Sequence, residues 1–232
     1  MASVSRSLRL KHAIKQSARS VASVKSVPGY FTDLDNHANQ CVVSENNALI
    51  TNDFNVPVTV QGYSKSTGTG QYNTVTGVVA YNQLKDGRTY YLHIHQALNI
   101  PDMKTNLLCP NQLRAIGIRV NDEPKHLVPE PTPNHHAITI NEPHIEEELI
   151  IALRIRGVTP FFHTRKPTQE EYDDSNPAYY IDLTAQEIPW EPDDDDFGDS
   201  EGKMLDHNDE IIERDPLSAG RSTMRLFKGI VG

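Results

Sequence analysis

The stretch Tyr90-Tyr91-Leu92-His93-Ile94-His95-Gln96-Ala97-Leu98 alternates with the period of two that a β-strand imposes on its side chains. Tyr90, Leu92 and Ile94 fall on one face and Tyr91, His93 and His95 on the other, so one side suits a core and the other is aromatic and titratable. Upstream, Asp86-Gly87 is a hairpin turn signal and Thr76 to Tyr81 supplies the strand before it. Gly62, Gly68, Gly70 and Gly77 bracket the polar run Ser64 to Thr74, which predicts a mobile hairpin. Val56-Pro57-Val58-Thr59-Val60 puts three valines on one face, and Pro57, lacking an amide proton, assigns that strand to a sheet edge. Cys41-Val42-Val43 reads as a further strand, as does Gly29 to Leu34, which ends in the turn-forming trio Asp35-Asn36-His37. Downstream, Pro101 breaks the pattern and Asn106-Leu107-Leu108 begins a buried segment. Pro110 in a first turn and Gly117 as a stop then predict one short helix.

Charge divides the chain more sharply than its net value of −9 conveys. Residues 1–28 carry six basic side chains and no acidic one, residues 29–121 balance six against six, and residues 122–232 hold ten basic and twenty-five acidic. The neutral middle is where a folded domain is expected. The organisation predicted is a basic flexible leader over 1–29, a folded domain over 30–122, a partly ordered β-prone extension over 123–165 and an acidic, largely disordered tail over 166–232. Ala137 to Ile140, Leu149 to Leu153 and Val158 to Phe162 are the β-prone runs of the extension. Asp193-Asp194-Asp195-Asp196 marks the tail, because neighbouring carboxylates repel and no apolar area offsets the entropy of ordering them. With 37% hydrophobic residues the 232-residue chain has material for one core but not for packing throughout. No apolar run approaches the 18 or so residues of a membrane span, and the leader lacks a secretory apolar stretch. It loosely matches a mitochondrial transit peptide, but without a clean apolar face it reads rather as a flexible linker.

Cys41 and Cys109 lack the Cys-x-x-Cys spacing of a zinc knuckle and are expected as reduced core thiols. Nucleotide-binding glycine loops, a Gly-x-Ser-x-Gly elbow and a His-Glu-x-x-His helix are absent. His93-x-His95 places two imidazoles on one strand face, with His126, His135, His136 and His144 elsewhere, but spacing fixes no third ligand. The expectation is therefore ordinary packing, no metal and no cofactor, with a His-rich metal-binding module as the least favoured alternative.

Leu34-Asp35-Asn36-His37-Ala38, followed about sixty residues later by Gln96-Ala97-Leu98-Asn99-Ile100-Pro101-Asp102-Met103-Lys104-Thr105-Asn106-Leu107-Leu108-Cys109-Pro110-Asn111-Gln112-Leu113, resembles the protease region of copia-type retrotransposon Gag-Pol polyproteins. The resemblance covers residues 30–122. It implies an all-β, retropepsin-like closed barrel or sandwich with one short C-terminal helix. It also implies an aspartic endopeptidase that processes polyprotein as a homodimer. Asp35 from each chain would be the catalytic residue, since two carboxylates about 3 Å apart share one proton and split the roles of base and acid. Asn36, His37 and Ala38 would complete the active-site loop, Gly68 and Gly70 the flap, and Asn106, Leu107 and Leu108 a structural motif. His37 stands where the family usually has Gly, and Asn36 where it has Ser. A peptide substrate, no direct nucleic-acid binding, and a location in the cytoplasm or in virus-like particles complete what the resemblance implies. The rival expectation is a catalytically silent remnant or binding domain of the same ancestry.

Overall fold

Alternating β-branched and aromatic residues form the strands, and their long-range pairing positions the site. A computed structural model describes residues 31–61, 69–145, 147–193 and 196–212. The leader over 1–29 and Gly68 therefore lie outside the described residues. The chain divides into two units, Met1–Trp190 and Glu191–Gly232.

The first unit contains β1 (Phe31–Leu34), β2 (Val42–Val43), β3 (Leu49–Gln61), β4 (Thr69–Asn82), β5 (Thr89–Asn99), β6 (Asn106–Leu108), β7 (Arg119–Asn121), β8 (Ala137–Ile140), β9 (Leu149–Ala152), β10 (Arg154–Arg156), β11 (Thr159–His163) and β12 (Tyr180–Asp182). Two short helices, α1 (Pro110–Arg114) and α2 (Gln169–Asp173), belong to it as well. Nine strands form one sheet in the order β10-β11-β1-β6-β2-β5-β4-β3, with β12 paired to β5, while β7, β8 and β9 form a second sheet. Most pairs are antiparallel; β1 with β6, β2 with β5 and β12 with β5 are parallel. Both sheets contribute to one core, which holds Leu92 and Ile94 of β5 together with Val79, Leu108, Ile138, Ile151, Phe162 and Ile181.

The expected closed barrel is corrected by this topology. The large sheet is open, ending at β10 and β3 without pairing them. The outer strand β3 is ill suited to closure: its register against β4 shifts twice, between Ile50 and Asn52 and between Asp53 and Pro57. Asn55 there takes a φ of 55°, and Pro57 has no N–H to offer a further strand. At the opposite end β10 is three residues long. The apolar face is covered by the three-stranded sheet instead, which supplies the burial that closure would have supplied.

Residues 166–193, read from composition as acidic tail, include α2 and β12. Thr168 caps α2, its hydroxyl accepting the Glu171 N–H at 3.1 Å. Ile181 and Leu183 are fully buried. Gly77 lets β4 pass closely over β2, since a Cβ there would meet Val43 Cγ1 at 2.9 Å. Cys41 and Cys109 are buried and unbridged, and burial pushes both thiols up. The second unit holds α3 (Asp196–Gly202) and a bridge between Leu205 and Ile211. No helix among the described residues is long and apolar enough to cross a membrane.

Candidate metal centre

Strand alternation puts His93 and His95 on the same face of β5, beside Tyr91. β2 pairs only with the end of β5 at Leu98 and Asn99, and the parallel strand β12 pairs with its earlier residues, Tyr180 opposite Tyr91, Ile181 opposite Leu92 and Asp182 opposite His93. That register sends Ile181 into the core and brings the Asp182 carboxylate onto the histidine face. One carboxylate oxygen, Oδ1, accepts hydrogen bonds from both His93 Nδ1 and His95 Nε2, each at 3.0 Å. His95 is buried, His93 half-buried, and the Asp182 side chain 53% exposed.

The far nitrogens are also engaged. The Thr76 hydroxyl lies 3.1 Å from His95 Nδ1 and the Tyr172 hydroxyl 3.0 Å from His93 Nε2. With both imidazoles neutral, this network assigns the proton of His93 to Nδ1 and that of His95 to Nε2, the hydroxyls donating to the remaining nitrogens. The hydrogen bond from His93, then that from His95, holds the Asp182 carboxyl well below the usual carboxylate range. Tyr180 and Tyr172 stack beside the site with ring centroids 5.1 Å apart, and the His93 ring lies 5.1 Å from that of Tyr180. An open cleft of about 660 Å³ adjoins the three residues.

Nitrogen and oxygen donors from His93, His95 and Asp182 lie within 4.8 Å of one another, the one such grouping of His, Cys, Asp or Glu among the described residues. Two imidazoles and a carboxylate suit zinc and its first-row neighbours. The surroundings suit an ion equally well. A metal bound at His93 Nδ1 and His95 Nε2 would move each ring proton to the far nitrogen. Tyr172 and Thr76 then accept where they had donated, which a hydroxyl does by rotation.

The residues singled out for protease chemistry form a different local structure. Asp35 Oδ1 accepts the N–H of His37 at 2.8 Å within its own turn, and its side chain is 40% exposed. The His37 imidazole is 3.5 Å away and almost fully exposed, and the Ala38 N–H donates to the Asp35 carbonyl at 3.2 Å. The Asn36 amide turns to Asp122. These local hydrogen bonds are those of a turn-forming aspartate. The aspartic endopeptidase expectation, with its dyad and hydrolase activity, is corrected accordingly: the convergent titratable group is His93, His95 and Asp182.

Gly70 pairs with Val60 in the β3–β4 ladder. Asn106 is buried and holds the turn between β2 and β3 at two points: its Oδ1 accepts the Ser44 N–H at 3.3 Å and its Nδ2 donates to the Asn47 carbonyl at 3.2 Å. Leu107 and Leu108 run parallel to Asp33 and Leu34, and the Leu108 carbonyl accepts the Asp35 N–H at 3.1 Å. His126, His135 and His136 are not in the metal-like group, while His144 lines the adjoining cleft and donates to the Tyr180 carbonyl at 2.9 Å.

Asp182, Tyr172 and Thr76 were not singled out from sequence. The alternation Tyr180-Ile181-Asp182-Leu183 was the available signal, obscured by the acidic stretch around it. No family model matches the chain, and no curated protein or solved structure is similar enough to it to count as a match.

Proposed function

We propose that this chain is a metal-binding domain in which His93, His95 and Asp182 hold one divalent ion of the zinc type. The observation that carries the reading is convergence: two strands separated by almost ninety residues deliver three donor groups to one point, and Thr76 and Tyr172 are set to fix both imidazole tautomers. Purified protein titrated with zinc against a chromophoric chelator should bind one equivalent. His95→Ala and Asp182→Asn should each abolish that equivalent while the far-ultraviolet circular dichroism stays that of a β protein. Undiminished stoichiometric binding in both variants would refute the site.

The homodimer expected above served the shared proton of an aspartate dyad, whereas this reading needs one chain. The resemblance over residues 30–122 is retained as a proposal of shared descent with copia-type polyproteins, without peptidase chemistry. The long motif around Asn106-Leu107-Leu108 supports it. Sequencing the flanks of the gene in related genomes tests the descent: relics of integrase or reverse transcriptase are expected, and flanks consistently free of them would count against it.

A further inference from the structure

We infer that the metal held by His93, His95 and Asp182 anchors a small organic monocarboxylate in the adjoining cleft; this rests on the metal-binding reading and specifies its ligand. Three protein donors leave a tetrahedral ion one position short, the arrangement of metal sites that exchange ligands. The exposed side of Asp182 faces a cleft of about 660 Å³, within the range of pockets that enclose small organic molecules.

The charges select the anion. A divalent ion with the Asp182 carboxylate keeps one net positive charge, which a monoanion cancels. The cleft lining contains no Lys or Arg and does contain Glu142, which opposes any anion, but a doubly charged phosphate more than a monocarboxylate, with no guanidinium clamp to offset the repulsion. The walls select an organic body. Tyr172 and Tyr180 form a stacked aromatic pair at the metal end. Pro177 adds apolar surface, and the amides of Asn52 and Gln186 also line the cleft and offer hydrogen bonds. A bare inorganic anion would leave this lined volume unused.

Cobalt(II) substitution reads the two steps separately. Full-length protein with one equivalent of cobalt should show visible d–d bands that vanish in His95→Ala, which reports the metal site alone. Benzoate and acetate should then shift those bands saturably, and inorganic phosphate should need at least about tenfold higher concentration. Tyr180→Leu should weaken benzoate roughly three- to tenfold and acetate by less, as expected for loss of one aromatic contact. Cobalt bands that do not respond to either carboxylate overturn this inference and leave the metal site standing. Tighter binding of phosphate than of acetate, or benzoate binding to metal-free protein with equal affinity, also overturns it. If cobalt gives no bands that depend on His95, both readings fail.

Discussion

Asp182 and Asp35 both stand at the end of a strand in the same unit, yet they have opposite surroundings. Asp35 spends its carboxylate on its own turn, accepting the N–H two residues ahead, and its neighbour His37 points into solvent. Asp182 spends its carboxylate on another strand, accepting from two imidazoles whose far nitrogens are held in turn by Thr76 and Tyr172. A side chain satisfied locally is a structural element, and one satisfied through a chain of oriented partners is placed for chemistry. The difference teaches that an aspartate in a suggestive motif is judged by where its hydrogen bonds go.

The largest effect expected from this comparison is on metal affinity. His95→Ala should weaken zinc binding by at least about a hundredfold in a competition titration, since it removes one of three donors and leaves Asp182 with one imidazole. Asp35→Asn should change it less than twofold. Equal losses in the two variants would erase the distinction between the two aspartates.

Next in size is a stability effect at the Asp35 end of the sheet. Arg156 of β10 donates to both oxygens of the buried Asp33 of β1, at 3.1 and 2.9 Å, and lies over the Phe31 ring at 4.0 Å. Burial raises the Asp33 carboxyl while Arg156 opposes that rise. Arg156→Met should lower unfolding free energy by about 1–3 kcal/mol, read from urea denaturation, because the buried Asp33 carboxylate loses its counter-charge and keeps only the Thr105 hydroxyl at 3.1 Å. Zinc affinity should be unchanged, because this lock and the histidine site belong to separate parts of the sheet.

Smaller again is the effect of the groups behind the ligands. Tyr172→Phe removes the hydroxyl facing His93 Nε2 but keeps the ring stacked on Tyr180, so zinc affinity should fall by about tenfold with little loss of stability. An unchanged affinity would show that His93 needs no partner to hold its orientation.

The smallest expected effect separates histidines by environment. His136 is buried, its Nε2 has no hydrogen-bond partner among the described residues, and burial, then the charge of Lys125, lowers its imidazole from the ordinary value. The folded state therefore resists a proton that the unfolded chain accepts. Its contribution to stability is complete above the unfolded value of about 6.5 and declines as pH falls below it. His136→Asn, which tolerates the local φ of 50°, should flatten that part of the stability profile, read as the slope of urea-unfolding free energy against pH. A profile of unchanged slope in the variant would assign the decline to other groups.

Much of the strand pattern was legible because it is local. The alternation from Tyr90 to Leu98, the Asp86-Gly87 turn and the helix after Pro110 depend on neighbouring residues, and the structure carries β5, its hairpin to β4 and α1 at those places. The common face of His93 and His95 follows from the same alternation. Asp182 was not legible as their partner, since a three-residue parallel pairing across almost ninety positions leaves no periodic trace in the sequence. Composition also argued against order near Asp182, yet Ile181 and Leu183 are buried against a core assembled by distant strands.

The sequence by itself determined which residues alternate, where turns interrupt them and which side chains share a strand face, because these follow from backbone geometry within a few residues. Only the tertiary structure decided that the large sheet stays open and that an acid from a late, acidic segment completes a pair of histidines. Sheet order and register are settled by the joint burial of many separated strands, and a metal site whose donors lie on different strands exists only after that choice is made.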